Sequence, residues 1–273
     1  MQTVVIPTDF SESANHAIKY ATALFEGQDV KFVFLHAYQI PVTVPSTVIV
    51  GADMLKEKAQ KQVGELVSNY RNTLKHDAAS NVDEGEVVDV LNTYLKENPD
   101  AMVVMGTKGN SVLSEFLIGS NTVNAIRYVH QPVLIVPKES RIEKPRVIVY
   151  AADLVQGPVG VDLTPLTRIA EMTNAEIRVL HVTKGDSVEN IKSRMGVEDA
   201  IEKALKHIIH SYHYEEGDDI AHVISQFADL ENASMVAMVA RHNKFLDRIF
   251  HQSVTKKVAL HSRIPILSLH ANS

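Results

Sequence analysis

The chain has 273 residues, and this length suits two domains better than one. Its composition is typical of a water-soluble globular protein, with 45% hydrophobic residues, 22% charged residues and a net charge of −6. The mildly acidic balance disfavours a protein that binds nucleic acid or anionic membranes nonspecifically. Cysteine is absent, which excludes a disulfide framework and thiol chemistry.

The first residues of the chain lead directly into an apolar strand. Residues 1–9 lack the basic segment and the apolar segment of a secretion signal. No apolar run approaches the roughly 18 residues that a membrane span needs. We therefore expect a cytoplasmic protein that does not cross a membrane.

Strands and helices alternate along the first half. A β-branched strand at 3–6 precedes a helix whose apolar residues repeat at helical spacing from Ala14 to Phe25, and either Asp9 or Ser11 is the predicted cap of that helix. The further predicted elements are strands at 30–37, 78–82, 101–105 and 132–136, and helices at 53–75, 86–97 and 121–130. This alternation predicts βαβ crossovers and a parallel sheet.

The same pattern then starts again, which predicts two copies of one unit. The offsets between matching residues are 144 (Asp9 and Asp153), 145 (His36 and His181), 132 (Gly85 and Gly217) and 133 (Pro132 and Pro265). The fall from 145 to 132 indicates that the second copy has lost about a dozen residues, and we expect the loss in the loop before its long helix. The proline-bounded residues 137–145 are the predicted linker, between domains predicted at 1–138 and 145–273.

Residues 103–121 combine a short strand, a glycine-rich loop and the start of a helix. Gly106 and Gly109 are followed, after nine residues, by Gly119 and Ser120. Glycines let backbone N–H groups approach an anion, and a helix start adds unpaired donors and a positive dipole end. Ser120, which we expect at the N-cap, can serve the helix or a phosphate. The spacing is not that of a P-loop or of G-x-G-x-x-G, and the alternative interpretation is a plain turn after a strand.

The glycine spacing, G-x-x-G-x9-G-[S/T], resembles the nucleotide loop of the ATP-binding universal stress proteins, and the resemblance covers essentially the whole chain. Residues 6–11, 35–37 and 84–85 also fit the family. The resemblance implies an α/β fold of two tandem Rossmann-like, adenine-nucleotide-hydrolase-like domains, each a five-stranded parallel sheet flanked by helices. It also implies that ATP binds to the first domain, together with Mg²⁺ or Mn²⁺.

The resemblance also implies roles for single residues. Pro7, Thr8 and Asp9 would lie against the base and sugar, Ala37 would line the adenine pocket, Met105, Gly106, Lys108 and Gly109 would follow the ribose and phosphates, and Gly119, Ser120 and Asn121 would hold the phosphate tail. The physics agrees, because the carboxyl ends of parallel strands form the crevice that binds ligands. Two alternatives remain: Asp9 as a helix cap only, and Lys108 as a solvated surface side chain.

The second copy departs from this pattern. A shift of 133 puts Val239, His242 and Gln252 at the three glycine positions, and only Ser253 matches Ser120. Side chains therefore stand where the backbone must approach phosphate, so we expect no ATP binding of this kind in the second domain. Its histidines at 207, 210 and 213 fall three apart near the end of the predicted long helix. They are either a divalent metal site or, as the lack of cysteine favours, scattered surface histidines.

Three functions remain open at this point. The first is a stress or signalling protein whose ATP occupancy sets its shape or partner surface, with catalysis absent or slow. The second is an ATP hydrolase, for which Asp9 is a candidate carboxylate but no general base is evident near the glycine loop. The third is a scaffold that binds no nucleotide, which the intact glycines argue against. The family resemblance further implies that the strands at 133–136 and 266–269 pair within the chain as a pseudo-dimer, and a homodimer remains possible.

Overall fold

The computed structural model describes residues 2–40, 48–74, 77–107, 119–154, 161–183, 188–240 and 264–270. The first half contains β1 (Gln2–Pro7), α1 (Glu12–Leu24), β2 (Val30–Tyr38), α2 (Val48–Leu74), β3 (Asp77–Glu84), α3 (Val87–Glu97), β4 (Met102–Gly106), α4 (Ser120–Tyr128) and β5 (Val133–Val136). The second half contains β6 (Val147–Ala151), α5 (Thr164–Thr173), β7 (Glu176–Thr183), α6 (Val188–Leu205), β8 (His210–Glu216), α7 (Ile220–Leu230), β9 (Met235–Ala240) and β10 (Ile266–His270).

All described strands belong to one sheet, in the order β3-β2-β1-β4-β5-β10-β9-β6-β7-β8. Pairing is parallel within each half, which confirms the predicted α/β fold with two five-stranded parallel units. The register repeats as well. Val4 lies opposite Phe32 in the first half, and Ile148 lies opposite Ile177 in the second, so the pairs are separated by the predicted offsets of 144 and 145.

The two halves meet at the last strand of each. β5 pairs with β10 in antiparallel register, with Leu134 opposite Leu267 and Val133 opposite Ser268. This confirms the predicted pairing inside the chain. Because each strand covers the open edge of the other, neither is left exposed as a template for association.

The core lies on both faces of the sheet because successive strand residues point to opposite sides. Val4 and Ile6 belong to the cluster that includes buried residues of α1, α2, α5 and α6, whereas Val5 belongs to the cluster that includes buried residues of α3, α4 and α7. Strands covered on both faces consist of almost continuous apolar residues, as in β4 and β5, where Val103, Val104 and Leu134 are fully buried.

The second copy is shorter both in its long helix and in the loop before it. α2 has 27 residues and α6 has 18. Nine residues separate β2 from α2 and four separate β7 from α6, so the predicted loss in the loop accounts for part of the difference and the helix for the larger part. Residues 48–52 of α2 read Val-Ile-Val-Gly-Ala, and β-branched residues and glycine have low helix propensity, so the pattern indicated a loop there.

The histidines of the second half do not share a helix, although they were expected near the end of the long helix. α6 ends at Leu205, and both His210 and His213 lie in β8. Residues three apart in a strand point to opposite faces. Among the described residues, no group of three or more His, Cys, Asp or Glu side chains is arranged to hold a metal ion.

None of the helices in the described ranges combines the length and the apolar character that crossing a bilayer requires. The residue limits of the two domains stay a prediction.

Candidate functional site

A cleft opens where β1, β2 and β4 end and α1, α3 and α4 begin. β1 and β4 are neighbours in the sheet, but the chain continues from β1 to β2 on one side and from β4 to β5 on the other side. The cleft therefore lies at the point where the strand order reverses, which is where α/β sheets bind ligands. The space between its lining atoms is about 650 Å³, which includes space open to solvent. Its lining consists of Pro7, Thr8, Asp9, Ala14, Leu35, Ala37, Val87, Met105, Gly106, Gly119, Ser120, Asn121 and Thr122.

Nine of the residues predicted for the nucleotide site line this cleft. They are Pro7, Thr8, Asp9, Ala37, Met105, Gly106, Gly119, Ser120 and Asn121. The two others, Lys108 and Gly109, lie outside the described residues. Sequence reasoning missed Ala14, Leu35, Val87 and Thr122, of which Ala14 and Thr122 lie near the first turns of α1 and α4 and could have been included as helix-start positions.

The turn between β1 and α1 is held by its own side chains. The N–H of Phe10 donates to Thr8 Oγ1 over 3.0 Å, and the N–H of Ser11 donates to Asp9 Oδ1 over 3.0 Å. Ser11 caps α1 by accepting from the N–H of Ala14. Of the two predicted caps, Ser11 is therefore the N-cap of the helix, whereas Asp9 orders the turn before it and stands exposed at the cleft.

Phe10 has a left-handed backbone, with φ of 62°. A residue with a side chain adopts this conformation only where the surroundings impose it, and such positions cluster at ligand sites. Its ring lies 5.0 Å from the ring of His36, and His36 Nδ1 lies 2.7 Å from the carbonyl oxygen of Thr8. His36 is thus a structural histidine that supports the turn.

Gly106 is placed where no side chain fits. A Cβ atom on Gly106 would lie 2.4 Å from Ser13 Oγ and 2.7 Å from the carbonyl oxygen of Ser13. The first turn of α1 therefore packs directly against the backbone of β4. On the other side, Thr122 Oγ1 donates to the carbonyl oxygen of Gly106 over 2.8 Å, so this glycine connects α1 to α4.

The N-terminus of α4 faces the cleft. Gly119 is its N-cap and Ser120 is the first helical residue, which corrects the prediction that Ser120 caps the helix. The N–H of Gly119 donates to the carbonyl oxygen of Thr107 over 2.5 Å. The N–H groups of Ser120 and Asn121 have no acceptor within the helix, because the helix has no earlier turn. No acidic residue lies in the first turn of α4, so its dipole favours an anion there.

The two ends of the cleft differ in chemistry. Pro7, Leu35, Ala37, Val87 and Met105 form an apolar side, whereas the start of α4 offers backbone donors and a hydroxyl group. A ligand that matches both ends carries an apolar ring system and an anionic group.

The second half differs at the corresponding positions. Val239 stands where the first half has Gly106, as the registers of β4 with β5 and of β9 with β10 show. α1 begins five residues after β1, whereas α5 begins 13 residues after β6, so the two helices start differently relative to the sheet. His242, Gln252 and Ser253 lie outside the described residues. The expectation that this half does not bind ATP stays a prediction.

Comparisons with known proteins agree with the architecture. A family model described as "Universal stress protein family" matches residues 1–137 and 163–270. Universal stress protein Rv1636 of Mycobacterium tuberculosis is 31% identical over 144 residues, which cover 50% of this chain and 95% of that protein. Universal stress protein MJ0531 of Methanocaldococcus jannaschii is 26% identical over 145 residues, covering 50% and 83%. A universal stress protein from Archaeoglobus fulgidus, at 18% identity, superposes with a TM-score of 0.73 over 99% of this chain and 97% of that one, which shows the common fold.

Proposed function

The chain belongs to the universal stress protein family, and from that premise we propose that its first half binds an adenine nucleotide, ATP in the first instance, in the cleft beside β1, β2 and β4. The observation that carries the proposal is the cleft itself. An apolar side formed by residues such as Ala37 and Val87 leads to the N-terminus of α4, and Gly106, whose missing side chain makes room for α1, also lines the cleft.

The adenine ring suits the apolar side and the phosphates suit the start of α4. An adenine ring is large, flat and mostly apolar, so burial against Pro7, Leu35 and Met105 favours it through the hydrophobic effect. Phosphate oxygens accept hydrogen bonds from the N–H groups of Ser120 and Asn121, and the dipole of α4 adds a favourable interaction. Asp9 offers an acceptor for a ribose hydroxyl or the adenine amino group.

A divalent cation would enter together with the phosphates. Mg²⁺ and Mn²⁺ prefer oxygen ligands and are commonly held by one or two carboxylates plus the phosphates of the substrate. The Asp9 carboxylate and the Ser120 hydroxyl group are oxygen donors of that kind in the cleft lining. The described residues contain no preformed cluster of three ligands, which fits a cation carried in by the nucleotide.

The proposed biological role depends on whether ATP occupies the cleft. ATP in the cleft connects β1, β2 and β4 to the first turns of α1 and α4, and we propose that the resulting shape is read by a partner in a stress response. The alternatives are a slow ATP hydrolase and a scaffold without nucleotide. Asp9 is the one carboxylate among the described lining residues, whereas phosphoryl transfer also needs a positioned nucleophile and charge stabilisation.

The test compares the unaltered protein with Asn121→Asp. A carboxylate in the first turn of α4 interacts favourably with the helix dipole, so the fold keeps its stability. The same carboxylate repels phosphate, so ATP affinity should fall about tenfold or more, since two like charges a few ångströms apart near a protein surface repel each other by more than about 1.4 kcal/mol. Asn121→Gln, which is uncharged, is the matched control and should bind more tightly than Asn121→Asp.

Two measurements decide between the functions. Mass spectrometry of the small molecules released on denaturing freshly purified protein identifies a bound nucleotide, and thermal melting with added ATP and Mg²⁺ measures stabilisation by mass action. Conversion of bound ATP to ADP over hours would favour the hydrolase. No released nucleotide and no shift in the melting temperature would contradict the proposal and favour the scaffold.

A further inference from the structure

Thr122 lies in the wall of the cleft but points its hydroxyl group into the protein. The residue is only 3% exposed, and its Oγ1 donates to the carbonyl oxygen of Gly106 over 2.8 Å. Gly106 ends β4 and Thr122 stands in the first turn of α4. This hydrogen bond therefore joins the end of the strand to the start of the helix across 16 positions of the chain.

A second hydrogen bond runs beside the first. The N–H of Gly119 donates to the carbonyl oxygen of Thr107 over 2.5 Å. Gly106, the last residue of β4, and Thr107, which follows it, are thus tied to the first turn and the N-cap of α4.

Gly106 is itself a fixed point. Its Cα faces Ser13 of α1 so closely that an added Cβ would lie 2.4 Å from the Ser13 hydroxyl oxygen. The Thr122 hydroxyl group is therefore anchored to a backbone that cannot move towards α1. As a result, the N-terminus of α4 has a defined position relative to the apolar side of the cleft.

We propose that Thr122 is a positioning residue of the nucleotide site: its hydroxyl group sets the distance between the phosphate-binding N–H groups of α4 and the apolar side that receives the base. The inference rests on the proposed function, because it assigns Thr122 a part in binding phosphates. Hydrogen bonds to the phosphates weaken steeply beyond about 3.2 Å, so a small displacement of the helix start is enough to lose them. Binding of the base and sugar does not depend on that distance.

The ratio of ATP to adenosine affinity tests this, measured by titration calorimetry on the full chain. Thr122→Val keeps the shape of the side chain and removes the hydroxyl group, whereas Thr122→Ser keeps the hydroxyl group. The Val variant should bind ATP about tenfold more weakly and adenosine within about twofold of the unaltered protein, which is the size expected from losing hydrogen bonds to a charged group. The Ser variant should keep the original ratio.

A matched control comes from the second half, where Thr255 follows Thr122 by the same offset of 133. Thr255→Val should leave the ratio unchanged. If Thr122→Val does not fold, Thr122→Ala replaces it, because the smaller side chain admits a water molecule to the carbonyl of Gly106.

The possible results separate the two proposals. An equal loss of ATP and adenosine affinity in Thr122→Val, or an unchanged ratio with only a lower melting temperature, means that Thr122 serves the fold and overturns the inference while the proposed function stands. A ratio altered as much by Thr255→Val also overturns it. No binding of either ligand to the unaltered protein overturns both.

Discussion

His16 and Ser140, which are 124 positions apart in the chain, are joined by a hydrogen bond of 3.0 Å between His16 Nε2 and Ser140 Oγ. The hydroxyl group of Ser140 donates to the carbonyl oxygen of Pro137 over 2.7 Å, so its oxygen accepts the proton of His16 Nε2. Ser140 belongs to the linker between the halves and is 4% exposed. The linker is therefore a docked segment and not a free tether.

Two further contacts place the linker along the whole of α1. Lys138 forms an ion pair with Glu12 in the first turn of the helix. Lys144 Nζ donates to the carbonyl oxygen of Glu26, just past the end of the helix, over 3.2 Å. The helix that borders the cleft on one side thus carries the linker on another.

The contact between His16 and Ser140 predicts a pH dependence. Burial lowers the pKa of His16 from its usual value, and this outweighs the opposing effects of Ser140 and Glu139, while Lys19 and Lys138 lower it further. The unfolded chain therefore binds this proton more readily than the folded one. The contribution to stability is present above the ordinary histidine pKa of about 6.5 and is lost as the pH falls through the lowered pKa.

Urea unfolding between pH 7.5 and pH 5 measures this. His16→Gln, which keeps an N–H donor but does not titrate, should lose less stability on acidification than the unaltered protein. An identical pH dependence in both proteins would contradict the lowered pKa of His16.

The contacts of His210 predict a pH dependence of stability with the opposite sign. Burial lowers its pKa as the largest single effect, but the carbonyl of Ile208 and the carboxylate of Glu202 together raise the pKa above its usual value. His210 Nε2 lies 2.9 Å from Glu202 Oε2. Its contribution to stability is present below the unfolded pKa of about 6.5 and is lost as the pH rises through the raised pKa.

The matched pair for this prediction is Glu202→Gln and Glu198→Gln. Both carboxylates lie on α6, but Glu198 accepts from the hydroxyl group of Tyr214 and not from a histidine. The destabilisation by Glu202→Gln should be greater at pH 5.5 than at pH 8. Because Glu202 is well exposed, the difference should be small. The same pH dependence in Glu198→Gln would rule out the ion pair as its source.

Gly106→Ala should destabilise the protein and weaken nucleotide binding together. The new Cβ would meet the backbone of Ser13 at 2.7 Å, so the first turn of α1 must move away. Overpacking of this kind costs about 1–3 kcal/mol. Thermal melting with and without ATP measures both effects.

The matched control is Gly196→Ala in α6, where a Cβ meets nothing within 4 Å. It should be neutral or stabilise the protein by up to about 1 kcal/mol, since alanine favours a helix over glycine. Equal melting temperatures for Gly106→Ala and Gly196→Ala would show that α1 is not packed against β4 as described.

Tyr20→Phe should be neutral or stabilising. The Tyr20 side chain is 1% exposed, and its hydroxyl oxygen has no hydrogen-bond partner among the described residues. Burial raises the pKa of Tyr20, and the nearby charge of Glu143 raises it further. A buried hydroxyl group without a partner costs about 1–3 kcal/mol, so its removal should stabilise the protein by up to that amount.

Tyr70→Phe is the control for this change. Burial raises the pKa of Tyr70 and the neighbouring Thr22 side chain partly opposes this rise, so the Tyr70 hydroxyl group has a polar neighbour and its removal should cost up to about 1 kcal/mol. Denaturant unfolding of both variants gives the comparison, and a greater loss of stability from Tyr20→Phe than from Tyr70→Phe would contradict the prediction.

The architecture could be predicted because its signals are local and repeated. Alternating strand and helix patterns predicted a parallel sheet, and the offsets of 144 and 145 reappear in the register of the sheet. The same residues predicted most of the cleft lining, since loops that follow adjacent parallel strands must meet at one edge. Where propensity opposed the pattern, as at the start of α2, the prediction failed.

Contacts between distant parts of the chain were decided by the tertiary structure alone. The hydrogen bond from Thr122 to Gly106, the approach of Ser13 to Gly106 and the docking of Ser140 on His16 join residues whose local patterns carry no sign of one another. The spacing of apolar residues shows which face of an element is buried, because buried positions recur about once per turn in a helix and at every second residue in a strand. Which atoms then meet depends on how whole elements pack, and that is determined only when the core of both halves has formed.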